Sequence, residues 1–152
     1  MIEEGNLVAR LTDKSERLQE VFGDYPYISS AYIFGSQVKG RTTPMSDLDI
    51  AILLKKPHPE GIELIHRMDY LSFRIEELLD FKVEVDVIEI NSQGLIFQHN
   101  VLKTGRLIYD ADPEFRVRFE MSVIARFCDF EPTLRFMNKY YFEGYRRRLA
   151  TL

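Results

Sequence analysis

Apolar residues recur at helical spacing near the start of the chain: Leu7, Leu11, Leu18 and Phe22 share one side of a 3.6-residue spiral. This predicts an amphipathic helix over about residues 3–22, stopped by Gly23 and Pro26. Residues 28–34 form a short β-rich run ending at Gly35, and residues 41–44 have the composition of a loop. Residues 48–54 read as a second strand, closed by K-K-P-H-P. Leu64, Met68, Leu71, Ile75 and Leu78 mark a second amphipathic helix, with Arg67, Arg74, Glu76 and Glu77 on its polar face. Residues 82–90 alternate as a third strand. Ser92 is placed to cap a short helix holding Leu95, Ile96 and Val101. Gly105 leads into a last strand, R-L-I-Y. From Pro113 onward the pattern is helical, and Pro132 is predicted to divide it into two helices. Strands alternating with helices indicate an α/β (α+β) layer domain over residues 1–112, with a helical C-terminal extension over 113–152 packed on it as a single structural unit.

Composition narrows the function classes. The 152 residues carry a formal charge of −4, which argues against nonspecific nucleic-acid binding, since that rests on neutralising many phosphates. No direct nucleic-acid partner is therefore expected. The charge is uneven: residues 114–149 hold eight Lys/Arg against five Asp/Glu. These charges either solvate helix faces or mark a contact surface at the C-terminal end. Cys128 is the sole cysteine, so no internal disulfide forms; among Ile124, Phe127 and Phe130 it reads as a small buried hydrophobe. The first residues, M-I-E-E-G-N, lack the character of a signal peptide, and no apolar run approaches membrane-spanning length. A cytoplasmic location with no membrane partner is expected. His58, His66 and His99 share no metal-ligand spacing.

The chemistry is concentrated between Phe34 and Leu54. Gly35 and Ser36 follow a strand, where a small backbone and a hydroxyl can cradle a phosphate; Ser36 as a plain helix cap is the alternative. Asp47 and Asp49 are two apart in a strand, so they project to one face roughly 6.6 Å apart, while Leu48, Ile50, Ile52 and Leu54 turn to a core. Adjacent carboxylates repel, and burying them without a cation is costly. Two hard divalent ions about 3.5–4 Å apart would relieve that, as in phosphoryl-transfer sites; a polar strand end beginning in solvent is the simpler alternative. A two-metal site calls for a third carboxylate on a neighbouring strand. Asp86 sits deepest in V-E-V-D-V-I, where aspartate is poorly placed by propensity, with Glu84 as its competitor on the same face.

These residues together resemble the polymerase-β-like nucleotidyltransferase superfamily, and in particular its small stand-alone minimal nucleotidyltransferases (MNT). The shared pattern is Gly35-Ser36, then Lys39 and Gly40, then Ser46-Asp47-Leu48-Asp49, and Asp86 on the later acidic strand, over roughly residues 7–110. Relatives often carry arginine where Lys39 stands, so the phosphate-facing charge is kept without bidentate geometry. The resemblance implies the polymerase-β-like fold, a small mixed sheet flanked by helices. It also implies two Mg²⁺ ions held by Asp47, Asp49 and Asp86, with ATP as substrate. Gly35, Ser36 and Ser46 would then bind the nucleotide, and Lys39 and Arg41 would neutralise its phosphates.

The segments D-P-E-F-R, R-F-E-M and F-E-P-T-L-R-F-M-N-K-Y-Y extend the resemblance to MNT antitoxins paired with HEPN-type ribonuclease toxins. Such an antitoxin transfers AMP from ATP to a toxin tyrosine and so blocks the ribonuclease. Fold alone does not settle the acceptor. A non-catalytic antitoxin acting by occlusion and a small-molecule (antibiotic) nucleotidyltransferase remain alternatives. Leu134, Met137, Tyr141, Tyr145 and Leu149 form one helical stripe suited to packing on the body. Phe136, Tyr140 and Phe142 fall off that stripe and imply burial on several sides or a partner surface. Arg146, Arg147 and Arg148 read as a solvated helix end.

Overall fold

The computed structural model describes residues 6–35 and 47–151. Helix α1 (Asn6–Asp13) and helix α2 (Ser15–Gly23) lead into strand β1 (Ile28–Phe34). Strand β2 (Leu48–Leu54), helix α3 (Gly61–Leu78) and strand β3 (Val85–Glu89) form a β-α-β unit with parallel strands. Helix α4 (Leu95–Thr104), strand β4 (Arg106–Asp110) and helix α5 (Pro113–Ala150) complete the chain. The sheet runs β3-β2-β1-β4, with β1 antiparallel to both β2 and β4, so it is mixed. Among the described residues no helix is long and apolar enough to cross a membrane.

The two central strands are buried on both faces. On one face Ile33, Leu48, Ile50, Ile52 and Val87 meet Leu18 and Phe22 of α2 and Leu71 and Ile75 of α3. On the other, Tyr32, Ala51, Leu53 and Ile90 meet Val101 of α4, with Phe115 and Phe119 of α5 packed against them. The result is a helical layer, a sheet and a second helical layer, and it fits the alternation of apolar strands with amphipathic helices.

Several expectations are corrected. The first helix is two, broken at Lys14, whose amine reaches the terminal carbonyl of α3 at Leu78 and the Asp80 carboxylate. Residues 3–5, the proposed start of that helix, lie outside the described residues, as does the 41–44 loop. β3 begins at Val85, because Asp80 and Phe81 adopt left-handed conformations (φ 58° and 54°) that keep the chain turning after α3. Ser92 does not cap α4: its hydroxyl and amide both bind Glu89, and the N-cap position is Gly94. Pro132 does not divide the C-terminal helix, which runs unbroken through it. The bidentate Glu131–Arg135 pair (2.7 Å) spans that turn and supports it. Cys128 is exposed rather than buried, because it turns away from the face that packs Val123 into the body.

Candidate active site

The start of β2 and β3 and the end of β1 meet at one end of the sheet. Asp49 is the second residue of β2 and pairs across the antiparallel ladder with Phe34, the last residue of β1. On its other side Asp49 pairs in parallel register with Asp86, so the two carboxylates stand side by side on one face, on strands about 4.8 Å apart. The register aligns Asp86, not Glu84, with Asp49. Glu84 precedes β3, and its carbonyl accepts from the Leu48 amide at 2.8 Å, holding the two strands together where Asp47 ends and Asp49 begins.

Gly35 closes over Asp49. It has φ +83°, a conformation that disfavours any side chain, and a Cβ there would lie 2.6 Å from Asp49 Oδ2. Backbone and carboxylate are therefore in a contact that only glycine permits. The next residue along the Asp49 face of β2 is Ala51, which is fully buried. Asp49 thus stands at the rim of a dry interior, and desolvation, then Asp86, then Asp47 raise its pKa above the ordinary 3.8. Asp47 and Asp86 are exposed, so the acidic group opens outward to solvent.

An all-oxygen set of this kind suits a hard divalent cation, which would offset both the desolvation of Asp49 and its repulsion by Asp86 and Asp47. The Gly35 contact fits as well: it brings backbone, rather than a side chain, up to the carboxylate where a polyphosphate would lie. Among the described residues no three His, Cys, Asp or Glu side chains are drawn together closely enough to enclose an ion by themselves. The candidate nucleotide-binding residues Ser36, Lys39, Arg41 and Ser46 lie outside the described residues.

One positioning residue escapes sequence reasoning. Glu76, in the last turns of α3, accepts the Val85 amide at 2.8 Å and so fixes the first residue of β3 beside Asp86. From the sequence it is one of several acids on a polar helix face, with nothing to single it out.

The nucleotidyltransferase family described as "Polymerase beta, Nucleotidyltransferase" matches residues 16–114. The protein adenylyltransferase MntA of Aphanizomenon flos-aquae (strain 2012/KM1/D3) is 27% identical over 123 residues, which cover 77% of this chain and 78% of that protein. Among solved structures, a toxin–antitoxin complex with AMP-PNP contains a chain that aligns with a TM-score of 0.65 at 19% identity, covering 84% of this chain and 98% of that one. A complex of a tri-AMPylated Shewanella oneidensis HEPN toxin with its MNT antitoxin aligns with a TM-score of 0.63 at 17% identity, covering 86% and 98%. These structural likenesses establish the fold. With residues 16–114 of 152 matched, the chain belongs to the polymerase β nucleotidyltransferase family.

Proposed function

We propose that the chain is a Mg²⁺-dependent protein adenylyltransferase that transfers AMP from ATP to a tyrosine hydroxyl of a HEPN-type ribonuclease toxin, silencing it as its antitoxin in the cytoplasm. The observation that carries the reaction is the Gly35 backbone closed onto Asp49, with Asp86 in register beside it. A protein as acceptor is supported by the likeness to the protein adenylyltransferase MntA, which runs through more than three-quarters of both chains, and a HEPN toxin by the likeness to the MNT antitoxin solved with a tri-AMPylated one.

In the reaction the acceptor oxygen bonds to the α-phosphorus, the α–β phosphoanhydride bond breaks, pyrophosphate departs and the hydroxyl proton passes to solvent. Asp47, Asp49 and Asp86 would hold the cations. Mg²⁺ bound there would supply charge neutralisation for the triphosphate and a more acidic acceptor hydroxyl. Gly35 and Ser36 seat the phosphates, with Ser46, Lys39 and Arg41 as further nucleotide contacts. Asp86 is more exposed than Asp49, and it would complete the site of the cation that activates the incoming hydroxyl.

The test is transfer from α-labelled ATP to the co-expressed toxin. The parent chain is expected to label it, and the Asp47→Asn, Asp49→Asn double variant is expected not to. Undiminished labelling by that variant would sink the proposal. Neutralisation by occlusion alone is the second reading, favoured by the exposed aromatic end of α5. It requires the double variant still to protect cells from the toxin.

A further inference from the structure

Helix α5 is far longer than the body that supports it: 38 residues span about 57 Å, against about 23 Å for a seven-residue strand. The order of its contacts gives its direction. Asp112 and Phe115, at its start, lie against Lys55, just past the end of β2 farthest from Asp49. Glu120 then meets the Tyr32 hydroxyl on β1, opposite Ala51 and so nearer to Asp49. Phe127 stacks on His99 of α4, with centroids 3.5 Å apart. The helix therefore climbs toward the catalytic end of the sheet and then leaves the body. Every residue from Arg135 to Ala150 is exposed.

The composition of this free segment is unusual for a solvated helix. Phe136, Tyr140, Tyr141, Phe142 and Tyr145 are each 52–71% exposed. Two i, i+4 ring pairs, Phe136–Tyr140 and Tyr141–Tyr145, form continuous surface along it. Beyond Pro132, Arg135, Lys139 and Arg146 to Arg148 face a single acid, Glu143. Aromatic residues and arginine are what protein interfaces enrich.

We infer that residues 132–150 are a docking arm for the acceptor protein. The arm grips an apolar, acid-rimmed surface of that protein and so presents its hydroxyl at the catalytic end. This rests on the adenylyltransferase reading above. Two features select the acceptor over a second copy of this chain: the arm heads toward the end of the sheet that carries Asp49 and Asp86, and arm-on-arm pairing would bring like charges together.

The experiment uses the full chain and its HEPN-type toxin. One variant combines Phe136→Ser, Tyr140→Ser, Tyr141→Ser and Tyr145→Ser; another combines Arg146→Glu, Arg147→Glu and Arg148→Glu. A control, Tyr70→Ser with Phe73→Ser, removes the exposed aromatic pair on α3. The aromatic arm variant is expected to raise both the Kd and the KM for the toxin by about 30-fold or more, with KM for ATP unchanged. The charge variant is expected to slow association and to flatten its salt dependence. Repeating the Kd measurements in an Asp49→Asn background separates docking from transfer, since arm-dependent capture there survives even if no AMP is moved. The inference is overturned if the arm variants bind toxin as tightly as the parent, or if the α3 control loses capture and they do not. It is equally overturned if the parent captures no toxin, or if the arm variants only convert dimers of this chain to monomers.

Discussion

Asp49 is destabilising by itself. Its folded pKa is raised, so between the unfolded and folded values the folded chain binds more protons, and stability falls as pH rises through that window. At neutral pH the ionised carboxylate therefore works against the fold, and a cation that bound only the folded form would reverse this. Asp49→Asn is expected to raise Tm by a few degrees without Mg²⁺, to abolish the further rise that Mg²⁺-ATP gives the parent, and to eliminate transfer; thermal melts with and without Mg²⁺-ATP check this. A lower Tm for the variant would show that the carboxylate is structural. Binding of Mg²⁺-ATP by the parent is expected to weaken on acidification, because the proton that Asp49 gains competes with the cation; titration of the Mg²⁺-ATP-dependent Tm rise at several pH values checks this. Gly35→Ala meets both a φ of +83° and the 2.6 Å approach to Asp49 Oδ2, so a stability loss of about 1–3 kcal/mol is expected in urea titration, with most transfer lost. The two aspartates and the glycine were legible in the sequence because strand alternation and a Gly-Ser turn each leave a local pattern. Glu76 was not, since its role depends on where β3 begins, and no spacing records that.

At the scale of elements, the strands and α3 follow directly from periodicity, because burial on the sheet is what spaced their apolar residues. Helix α5 follows it only in part. Its aromatic residues point all round the axis, and the body covers just the first half, where Val123 is buried and Phe115 and Phe119 pack on the sheet. The clamp there is polar: the Tyr32 hydroxyl donates to Glu120 at 2.7 Å, Glu120 accepts from Arg116 at 3.0 Å, and Arg116 pairs with Asp110 of β4 at 3.0 Å. Burial, then the Glu120 bond, raises the Tyr32 pKa, so the phenol stays a donor throughout the working pH range. Tyr32→Phe removes one donor and leaves Glu120 paired with Arg116, for a loss of about 0.5–1.5 kcal/mol. Glu120→Ala strands the buried phenol and leaves Arg116 with Asp110 alone, and is expected to cost more, about 1–3 kcal/mol. Equilibrium unfolding of the two variants checks the order. A larger loss for Tyr32→Phe would mean that ring packing, not the clamp, holds α5. Pro132 does not end α5, because a missing amide and a ring clash do not terminate a helix that can yield locally.

Across the whole molecule, charge and packing separate the chain at different places. The acidic residues gather on the body, while the last nineteen residues of α5 carry five cations against one acid. The sequence supports a domain over 1–112 with an extension over 113–152, and we propose that this extension acts in two portions. Its first turns cover Tyr32, Ala51, Leu53 and Ile90, and every residue of its distal turns from Arg135 to Ala150 is exposed. A chain ending at Phe130 should therefore keep the second core closed, retain the parent's cooperative melt within about 2 °C and still bind Mg²⁺-ATP, yet lose capture of the toxin. A chain ending at Asp112 uncovers that core face, a patch of the kind that drives aggregation, and is expected to be insoluble or to melt without a cooperative transition. Calorimetry of both truncations, alongside toxin capture by the longer one, tests the division. If the chain ending at Phe130 melted as poorly as the shorter one, the distal turns would be holding the fold, and their exposed aromatic residues would have to be explained by packing on this same chain.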